Sequence, residues 1–397
     1  MHDDLEELST RGTASPDHVI RIKGRPLILK ESVWSRGREA IKEELDKYAK
    51  EYKAMFERQA PKADQPKTML PTDPKNIWME GIGLIGLGAN AKAASIAGDL
   101  VVQNARVRAI GEDAGGFRPI SEKDLFDCEY WSLEQAKLGK GAPPKFQGKI
   151  VMITGGSGTI GFAIAKAFSK LGAQTILVDK DEIALEESVA KLGVGHKYFP
   201  IDVTHSDAAN QAMLAAINNF GGLDILISNA GAAHAGPMLG ISNEELRNAF
   251  ELNFFSHYNF STEAAKILKD QNRGGQILFN ISKQAVNPGK NFGAYGLPKA
   301  TTFFLMRQLA LELGSDGIRV NGINADRIRS GLLTDDFISS RAKSRGVSES
   351  EYMAGNLLNK EVTAEHVADA FTALACAEST TGHVMTVDGG NIEASLR

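Results

Sequence analysis

The sequence contains little cysteine: Cys128 and Cys376 are the only two in 397 residues. They lie far apart, and neither has a histidine or cysteine partner at the spacing of metal ligands. This pattern excludes a disulfide framework and argues against a zinc site. We therefore expect both thiols to be reduced packing residues, and we expect no bound metal.

A strong charge of one sign and long apolar runs are also missing. With 45 basic and 49 acidic residues the net charge is −4, so the chain lacks the basic surplus that nucleic acid binding would require. No apolar run reaches the roughly 20 residues of a membrane span. The first residues, Met1–Glu7, are acidic where a secretory signal would be basic and then apolar. We expect a cytoplasmic protein without nucleic acid or membrane partners.

The clearest boundary in the chain is the glycine- and proline-rich segment Gly139–Pro144. Before it, residues 1–140 predict a smaller α+β module with helices at Arg36–Gln59 and Glu122–Leu138. After it, residues 146–397 alternate apolar strands with helices, which predicts an α/β fold with a Rossmann-type, doubly wound parallel sheet. The predicted strands are 149–154, 174–178, 197–201, 223–228, 276–281, 318–323 and 383–387.

A glycine-rich turn follows the first strand of this second domain. The apolar run Lys149–Thr154 leads into Gly155–Gly161 and then into an apolar-periodic helix. Glycines at this place let the backbone approach a pyrophosphate, whose charge would lie at the helix N-terminus. The next strand ends in Asp179, and a carboxylate there binds both ribose hydroxyls and repels a 2′-phosphate. NAD is therefore the expected cofactor and is favoured over NADP, although Lys180 is adjacent.

A second glycine cluster, Gly81–Gly86, fits the same Gly-x-Gly-x-x-Gly pattern. An apolar Ile77–Met79 precedes it and an alanine-rich helix, about Ala89–Val107, follows. A dinucleotide site also needs a second parallel strand that carries an acid, and here the helix leads into the loop Gly111–Pro119. We interpret this cluster as a tight turn between packed elements.

Tyr295 and Lys299 stand four residues apart, and Ser282 lies at the end of an apolar run thirteen residues before the tyrosine. Residues four apart share one face of a helix, so the ammonium can stabilise a phenolate. Lowering a tyrosine pKa by about three units takes roughly 4 kcal/mol. Ser282 could hold the substrate oxygen that exchanges a proton with the phenol. This arrangement is typical of alcohol–carbonyl interconversion.

Eight motifs in the second domain occur in the order found in one family. They are Thr154-Gly-x-x-x-x-x-Gly161, Asp202-Val203, Asn229-Ala-Gly231, Asn253, Ser282, Tyr295-x-x-x-Lys299, Arg319-Val-Asn321 and Thr381–Gly390. Residues 146–397 thereby resemble the short-chain dehydrogenase/reductases.

The resemblance implies a role for each matched residue. Asp202 and Val203 would border the adenine, and Asn229, Ala230 and Gly231 would support the sheet beside the cofactor. Asn253 would hold a water that relays protons to Lys299, which also binds the nicotinamide ribose. The expected cofactor-binding residues are Gly155, Ser157, Gly158, Thr159, Ile160, Gly161, Asp179, Asp202, Val203, Asn229, Ala230, Gly231, Tyr295 and Lys299; the expected catalytic residues are Asn253, Ser282, Tyr295 and Lys299.

The chain departs from the family pattern at two places. Gly158 comes one position early, with Thr159 where glycine is usual, and this spacing resembles the extended branch that includes sugar epimerases and dehydratases. Ala325-Asp326 stands where a Pro-Gly pair normally contacts the nicotinamide. We expect this second departure to change the part of the pocket that contacts the nicotinamide, and to leave nucleotide binding intact.

The first domain resembles the middle of bifunctional proteins that fuse a class II aldolase to a short-chain dehydrogenase. The resemblance is carried by Arg11–Arg21, Gly81–Gly88 and Asp124–Ala136. Ile82 stands where that family has a metal-binding histidine, and His2 and His18 do not form a site alone. We expect an aldolase-like module without metal or aldolase chemistry, which serves packing, assembly or a lid in a homo-oligomer, a dimer or tetramer. We expect the chain to correspond to the C-terminal part of a longer ancestor.

The function predicted from these patterns is NAD-dependent hydride transfer on a small polyol, sugar or hydroxyaldehyde. The loop Ala232–Met238 and the segment Arg327–Met353 are expected to shape the pocket. Two alternatives remain open: an epimerase or dehydratase that retains NAD through turnover, and a non-catalytic NAD-binding module. His205, His234 and His257 have no spacing partner and are interpreted as loop or packing residues, with His234 a possible substrate contact.

Overall fold

The computed structural model describes residues 5–138, 142–233, 235–331 and 333–391. The chain divides into two compact units, Met1–Pro143 and Pro144–Arg397. Among the described residues, no helix combines the length and apolarity needed to cross a membrane.

In its described residues, the first unit contains a small mixed sheet and seven α-helices. Its strands are β1 (Leu27–Leu29), β2 (Asn76–Met79) and β3 (Gly83–Gly86); its helices are α1 (Leu5–Ser9), α2 (Pro16–Ile22), α3 (Glu31–Trp34), α4 (Arg38–Gln59), α5 (Ala91–Asp113), α6 (Glu122–Glu129) and α7 (Ser132–Ala136). β2 pairs parallel with β1 and antiparallel with β3. Ile22, Trp78, Ala97 and Val101 form the core between the sheet and α5.

The sequence predicts one helix at Glu122–Leu138, but the structure has two. Tyr130 and Trp131 leave the helical conformation between α6 and α7. The Tyr130 ring stacks on Phe126 with centroids 4.5 Å apart, and its hydroxyl lies 2.9 Å from that of Tyr52. These buried contacts explain the break.

The second unit is built around seven parallel strands. They are β4 (Ile150–Thr154), β5 (Gln174–Asp179), β6 (Lys197–Pro200), β7 (Ile225–Ser228), β8 (Gly275–Asn280), β9 (Ile318–Ala325) and β10 (Val384–Val387). Their order in the sheet is β10-β9-β8-β7-β4-β5-β6. All seven predicted strands are present, and their ends differ from the predicted ones by at most two residues. The predicted α/β, doubly wound fold is confirmed.

Helices cover both faces of this sheet. They are α8 (Thr159–Lys170), α9 (Glu182–Leu192), α10 (Ala208–Phe220), α11 (Asn243–Phe250), α12 (Ser256–Gln271), α13 (Gly293–Leu313), α14 (Asp335–Arg345), α15 (Glu349–Met353) and α16 (Ala364–Cys376), with a π-helical turn at Glu251–Phe255. Successive residues of each strand point to opposite faces, so Met152 packs with α10 and α12 while Val151 and Ile153 pack with α8 and α16. The strand order reverses between β4 and β7, which opens a crevice at their carboxyl ends.

Candidate active site

The glycine turn Gly155–Gly158 links β4 to the N-terminus of α8. Gly155 has φ +63°, a left-handed conformation that favours glycine. A Cβ at Gly161 would lie 2.1 Å from the Gly155 carbonyl oxygen, so only glycine lets α8 pack this closely on the turn. The free backbone N–H groups at the start of α8 therefore face the crevice, as an anion site requires.

Asp179, the last residue of β5, lies beside this turn. Its Oδ2 accepts hydrogen bonds from the Ser157 hydroxyl at 2.7 Å and from the Ser157 amide at 3.3 Å. Its Oδ1 accepts a hydrogen bond from the Lys180 amide at 2.8 Å. These bonds fix the carboxylate beside the glycine turn, where the sequence predicts a ribose.

Asp202 follows β6 and closes a local turn. Its Oδ1 accepts hydrogen bonds from the Thr204 amide at 2.9 Å and the Thr204 hydroxyl at 2.7 Å. The Thr204 amide in particular holds the pKa of this carboxyl below its usual range. The next helix, α10, has Asp207 at its N-cap, so Asp202 does not cap it.

Asn229 joins the ends of three strands. Its Nδ2 donates to the Thr154 carbonyl at 3.0 Å, and its Oδ1 accepts from Asn280 at 2.8 Å. The amides of Asn229 and Ala230 both donate to the Thr154 hydroxyl, at 2.9 and 3.1 Å. The ends of β4, β7 and β8 are thereby fixed beside the glycine turn.

Tyr295 lies near the start of α13, and its hydroxyl interacts with the Ser282 side chain. Ser282 comes directly after β8 and Ile281. Burial raises the pKa of Tyr295 to about 12, and the interaction with Ser282 opposes this shift. Burial therefore favours the protonated phenol, which is the opposite direction to the activation that the spacing of Tyr295 and Lys299 predicts.

Lys299 is fully enclosed one helical turn after Tyr295. Its Nζ donates to the Asn280 carbonyl at 3.1 Å and lies 3.2 Å from His257 Nε2. The other ring nitrogen of His257, Nδ1, lies 2.6 Å from the Ser228 hydroxyl. Burial lowers the pKa of Lys299 to about 7, and burial together with the Lys299 charge holds the pKa of His257 well below its usual value. A neutral His257 ring can accept a hydrogen bond from the ammonium.

The sequence analysis missed this function of His257, which it interpreted as a packing residue. The one available signal was its spacing of four residues from Asn253, which places both on one side of the helical segment. His205 lies in the Asp202 turn, where its amide donates to the Asp202 carbonyl at 3.1 Å. His234 lies outside the described residues.

Asn253 lies in the π-helical turn and is 1% exposed. Its side chain exchanges hydrogen bonds with the backbone of Ala232, at 2.9 and 3.2 Å, and donates to the Ala249 carbonyl. A Cβ at Gly231 would lie 2.8 Å from its Oδ1, so glycine there makes the contact possible. Asn253 thus anchors the loop after β7, and its role in holding a water stays a prediction.

Ala325-Asp326, the unusual pair after β9, has a structural explanation. The Asp326 carboxylate is buried and accepts hydrogen bonds from Lys283 at 2.9 Å and from Asn391 at 2.8 Å. Lys283 directly follows Ser282 in the chain. The pair therefore connects the end of β9 to the segment that carries the serine.

The predicted site residues converge on one cavity of about 1000 Å³ at the carboxyl ends of the strands. Its lining includes all of them except Ser157 and Asn253. Residues of α14 and α15, such as Phe337 and Tyr352, also line this cavity. The class defined by this fold and site is an α/β protein with a glycine-turn anion site joined to a Ser-Tyr-Lys group.

Comparison with known proteins identifies this class more closely. Residues 156–391 match the family described as Enoyl-(Acyl carrier protein) reductase, and residues 1–138 match Aldolase class II, second domain. The chain is 31% identical to the Uncharacterized oxidoreductase YuxG of Bacillus subtilis over 98% of its own length and 60% of that protein. It thus spans about three fifths of that relative.

Two solved structures are similar to the second unit. The 3-ketoacyl-(acyl-carrier-protein) reductase of Brucella melitensis, complexed with NADH, is 26% identical with a TM-score of 0.56 over 61% of this chain and 98% of that one. The L-sorbose reductase of Gluconobacter frateurii, complexed with NADPH and L-sorbose, is 27% identical with a TM-score of 0.58. The match covers 63% of this chain and 98% of the reductase. The chain belongs to the short-chain dehydrogenase/reductase family of oxidoreductases. It joins this domain to an aldolase class II second domain.

Proposed function

We propose that the protein is an NAD-dependent oxidoreductase that interconverts an alcohol and a carbonyl on a small polyol, sugar or hydroxyaldehyde. The observation that carries this proposal is that Ser282, Tyr295 and Lys299 line the same cavity as the glycine turn. The similarity to a reductase bound to L-sorbose supports a polyhydroxy substrate.

The residues at the glycine turn fit a nicotinamide dinucleotide. The missing Cβ at Gly161 lets α8 begin close against the glycine turn, so that its first backbone N–H groups could bind a pyrophosphate. Asp179 offers a fixed carboxylate to ribose hydroxyls. Since this carboxylate would repel a 2′-phosphate, NAD is proposed over NADP. When bound, the nicotinamide accepts or supplies the hydride.

The chain's own residues would hold the substrate oxygen and move its proton. Tyr295 would take the hydroxyl proton during oxidation and return it during reduction, while Ser282 holds the same oxygen. The Lys299 ammonium would favour the phenolate and so oppose the effect of burial on the Tyr295 pKa. His257 would keep that ammonium in place by accepting one of its protons in a hydrogen bond.

Residues 1–140 are proposed to serve packing or assembly without aldol chemistry. Within the residues that the structure describes, no group of three or more histidine, cysteine or acidic side chains is arranged to hold a metal. Ile82 is 58% exposed at the turn where the related aldolases would have a histidine. The absence of a metal stays a prediction.

The test is a panel of polyols and hydroxyaldehydes incubated with NAD or NADP while the nicotinamide absorbance is followed. Net formation of NADH from at least one polyol supports the proposal. An enzyme that carries NAD through purification and changes its substrate without net NADH formation would instead be an epimerase or dehydratase.

A further inference from the structure

We propose that the end of the cavity formed by α14 binds an anionic group of the substrate, a phosphate or a carboxylate, through Arg341 together with Arg345 and Lys290. This proposal rests on the proposed function, because it names the substrate class of the same cavity. The substrate would then be an acid- or phosphate-bearing polyol, sugar or hydroxyaldehyde.

The first support is the charge of the cavity wall. Seven basic side chains line the cavity against four acidic ones. Asp179 and Asp202 belong to the nucleotide end, and Glu251 lies in the π-helical turn. Asp326 is already paired with Lys283 and Arg327, at 2.9 and 3.4 Å. The cavity therefore has a surplus of positive charge, and none of these acids is an ion-pair partner of Arg341 or Arg345 in the described chain.

The second support is the position of the two arginines on α14. Arg341 and Arg345 are one helical turn apart and both line the cavity. Two like charges at this spacing destabilise a helix. An anion held between them would replace this repulsion with two charge-assisted hydrogen bonds.

The third support is the aromatic packing that orients each guanidinium. Arg341 lies 5.0 Å from the centroid of Phe292 and 5.4 Å from that of Phe337. Arg345 lies 5.2 Å from the centroid of Tyr352. Packing against aromatic rings restricts the position of a guanidinium, and the N–H groups that do not bond to protein can bind a planar or tetrahedral anion.

Phe292 connects this wall to the reacting group. Its carbonyl accepts a hydrogen bond from the Tyr295 amide at 3.1 Å, and its ring meets Phe337 edge-on at 5.9 Å. The Lys290 carbonyl, two residues earlier, accepts a bond from Arg341 at 3.4 Å. The anion site is therefore adjacent to the start of the helix that carries Tyr295.

The experiment compares three substrates that share one carbon skeleton: xylitol, xylonate and xylitol 5-phosphate. The full chain is assayed with NAD for kcat/KM on each. We expect xylonate or xylitol 5-phosphate to exceed xylitol by about tenfold, which corresponds to roughly 1.4 kcal/mol. The ratio of the two charged members distinguishes a carboxylate site from a phosphate site. Equal kcat/KM for all three would overturn the anion site while leaving the oxidoreductase activity established.

Arg341→Gln should reduce the kcat/KM of the preferred charged substrate relative to xylitol about tenfold, chiefly by raising KM for the charged substrate. Arg307→Gln is the matched control, because Arg307 also stacks on a phenylalanine, Phe303, at 5.8 Å but does not line the cavity. The control should keep the preference of the wild type. An equal loss in both variants would contradict the assignment.

Binding measured without turnover separates the two proposals. Calorimetry of the NADH-saturated protein with inorganic phosphate and with malonate should show binding of at least one anion, and Arg341→Gln should abolish it. If none of the three alcohols is oxidised but the anion binds in this way, the proposed substrates are wrong and the anion site stands. If neither anion binds, or if Arg341→Gln binds as wild type does, the anion site is wrong.

Discussion

Two glycine clusters in this chain have the same spacing and different structures. The first cluster begins at Gly81, in the turn between β2 and β3. It continues through Gly83 and Gly86, the first and last residues of β3, which pairs antiparallel with β2. Gly156, Gly158 and Gly161 lie between the parallel strand β4 and α8. The prediction that the first cluster is a turn between packed elements is confirmed.

Close backbone packing is common to both clusters. A Cβ at Gly86 would lie 2.2 Å from the Gly98 amide nitrogen, and a Cβ at Gly161 would lie 2.1 Å from the Gly155 oxygen. Only the second cluster has a parallel neighbour, β5, that ends in a carboxylate beside the turn. The acid-bearing neighbour strand, rather than the glycine spacing, is therefore what distinguishes the proposed nucleotide site from the hairpin.

The largest effect should come from Tyr295→Phe. The variant removes the proton-transferring hydroxyl, and general acid–base groups contribute about 10²–10⁴-fold in rate. Turnover should therefore fall by about this factor while NAD affinity, measured by fluorescence titration, stays within a few-fold of wild type. Retained turnover would remove Tyr295 from its proposed role.

The glycine comparison itself is tested by Gly161→Ala and Gly86→Ala. Each forces a methyl against backbone, which costs about 1–3 kcal/mol. We expect Gly161→Ala to weaken NAD binding by about ten- to hundredfold. Gly86→Ala should lower the melting temperature but leave the NAD dissociation constant within about twofold of wild type. Equal losses of NAD affinity would show that both clusters serve the nucleotide.

His257→Leu should lower activity by about tenfold, since hydrogen bonds to charged groups contribute about 1.5–3 kcal/mol. Without an acceptor, the buried ammonium is less stable, so the pKa of Lys299 should fall further below about 7. The charge is then lost at lower pH, and the alkaline decline of kcat should begin at lower pH than in wild type. His257→Gln, which offers an acceptor oxygen, should recover part of the activity and the profile. Identical profiles for the leucine variant and wild type would contradict this role.

The smallest effect concerns cofactor choice. The catalytic efficiency with NAD should exceed that with NADP by at least about tenfold. Asp179→Ser should lower this ratio about fivefold, which corresponds to about 1 kcal/mol of binding free energy. Asp181→Ser is the control, because Asp181 caps α9 through the Ala184 amide and serine also caps helices. Equal use of both nucleotides by wild type would refute the assignment of Asp179.

The fold and most of the site could be predicted because their signals are local. Apolar runs ending in Asp179, Asn229 and Ser282 mark strand ends, and parallel strands place those ends at one edge of the sheet. The spacing of four residues between Tyr295 and Lys299 places both side chains on one face of a helix.

The remaining features depend on contacts between distant residues. His257 meets Lys299 across 42 positions, and Lys283 meets Asp326 across 43, with no local pattern to indicate either pairing. The direction of the pKa shift of Tyr295 also depends on burial, which cannot be read from a spacing of four residues. Sequence reasoning therefore found the groups that approach the cavity but missed the contacts that hold them.

The most direct test of hydride transfer at this site uses NADH labelled with deuterium at the transferring position of the nicotinamide. The protein is incubated with each hydroxyaldehyde or ketose of the panel, and the alcohol product is analysed by mass spectrometry. We predict one deuterium on the new carbinol carbon with wild type, and about 10²–10⁴-fold less labelled product in the same time with Tyr295→Phe. A product that forms without deuterium, or a label that transfers equally in the phenylalanine variant, would contradict the account.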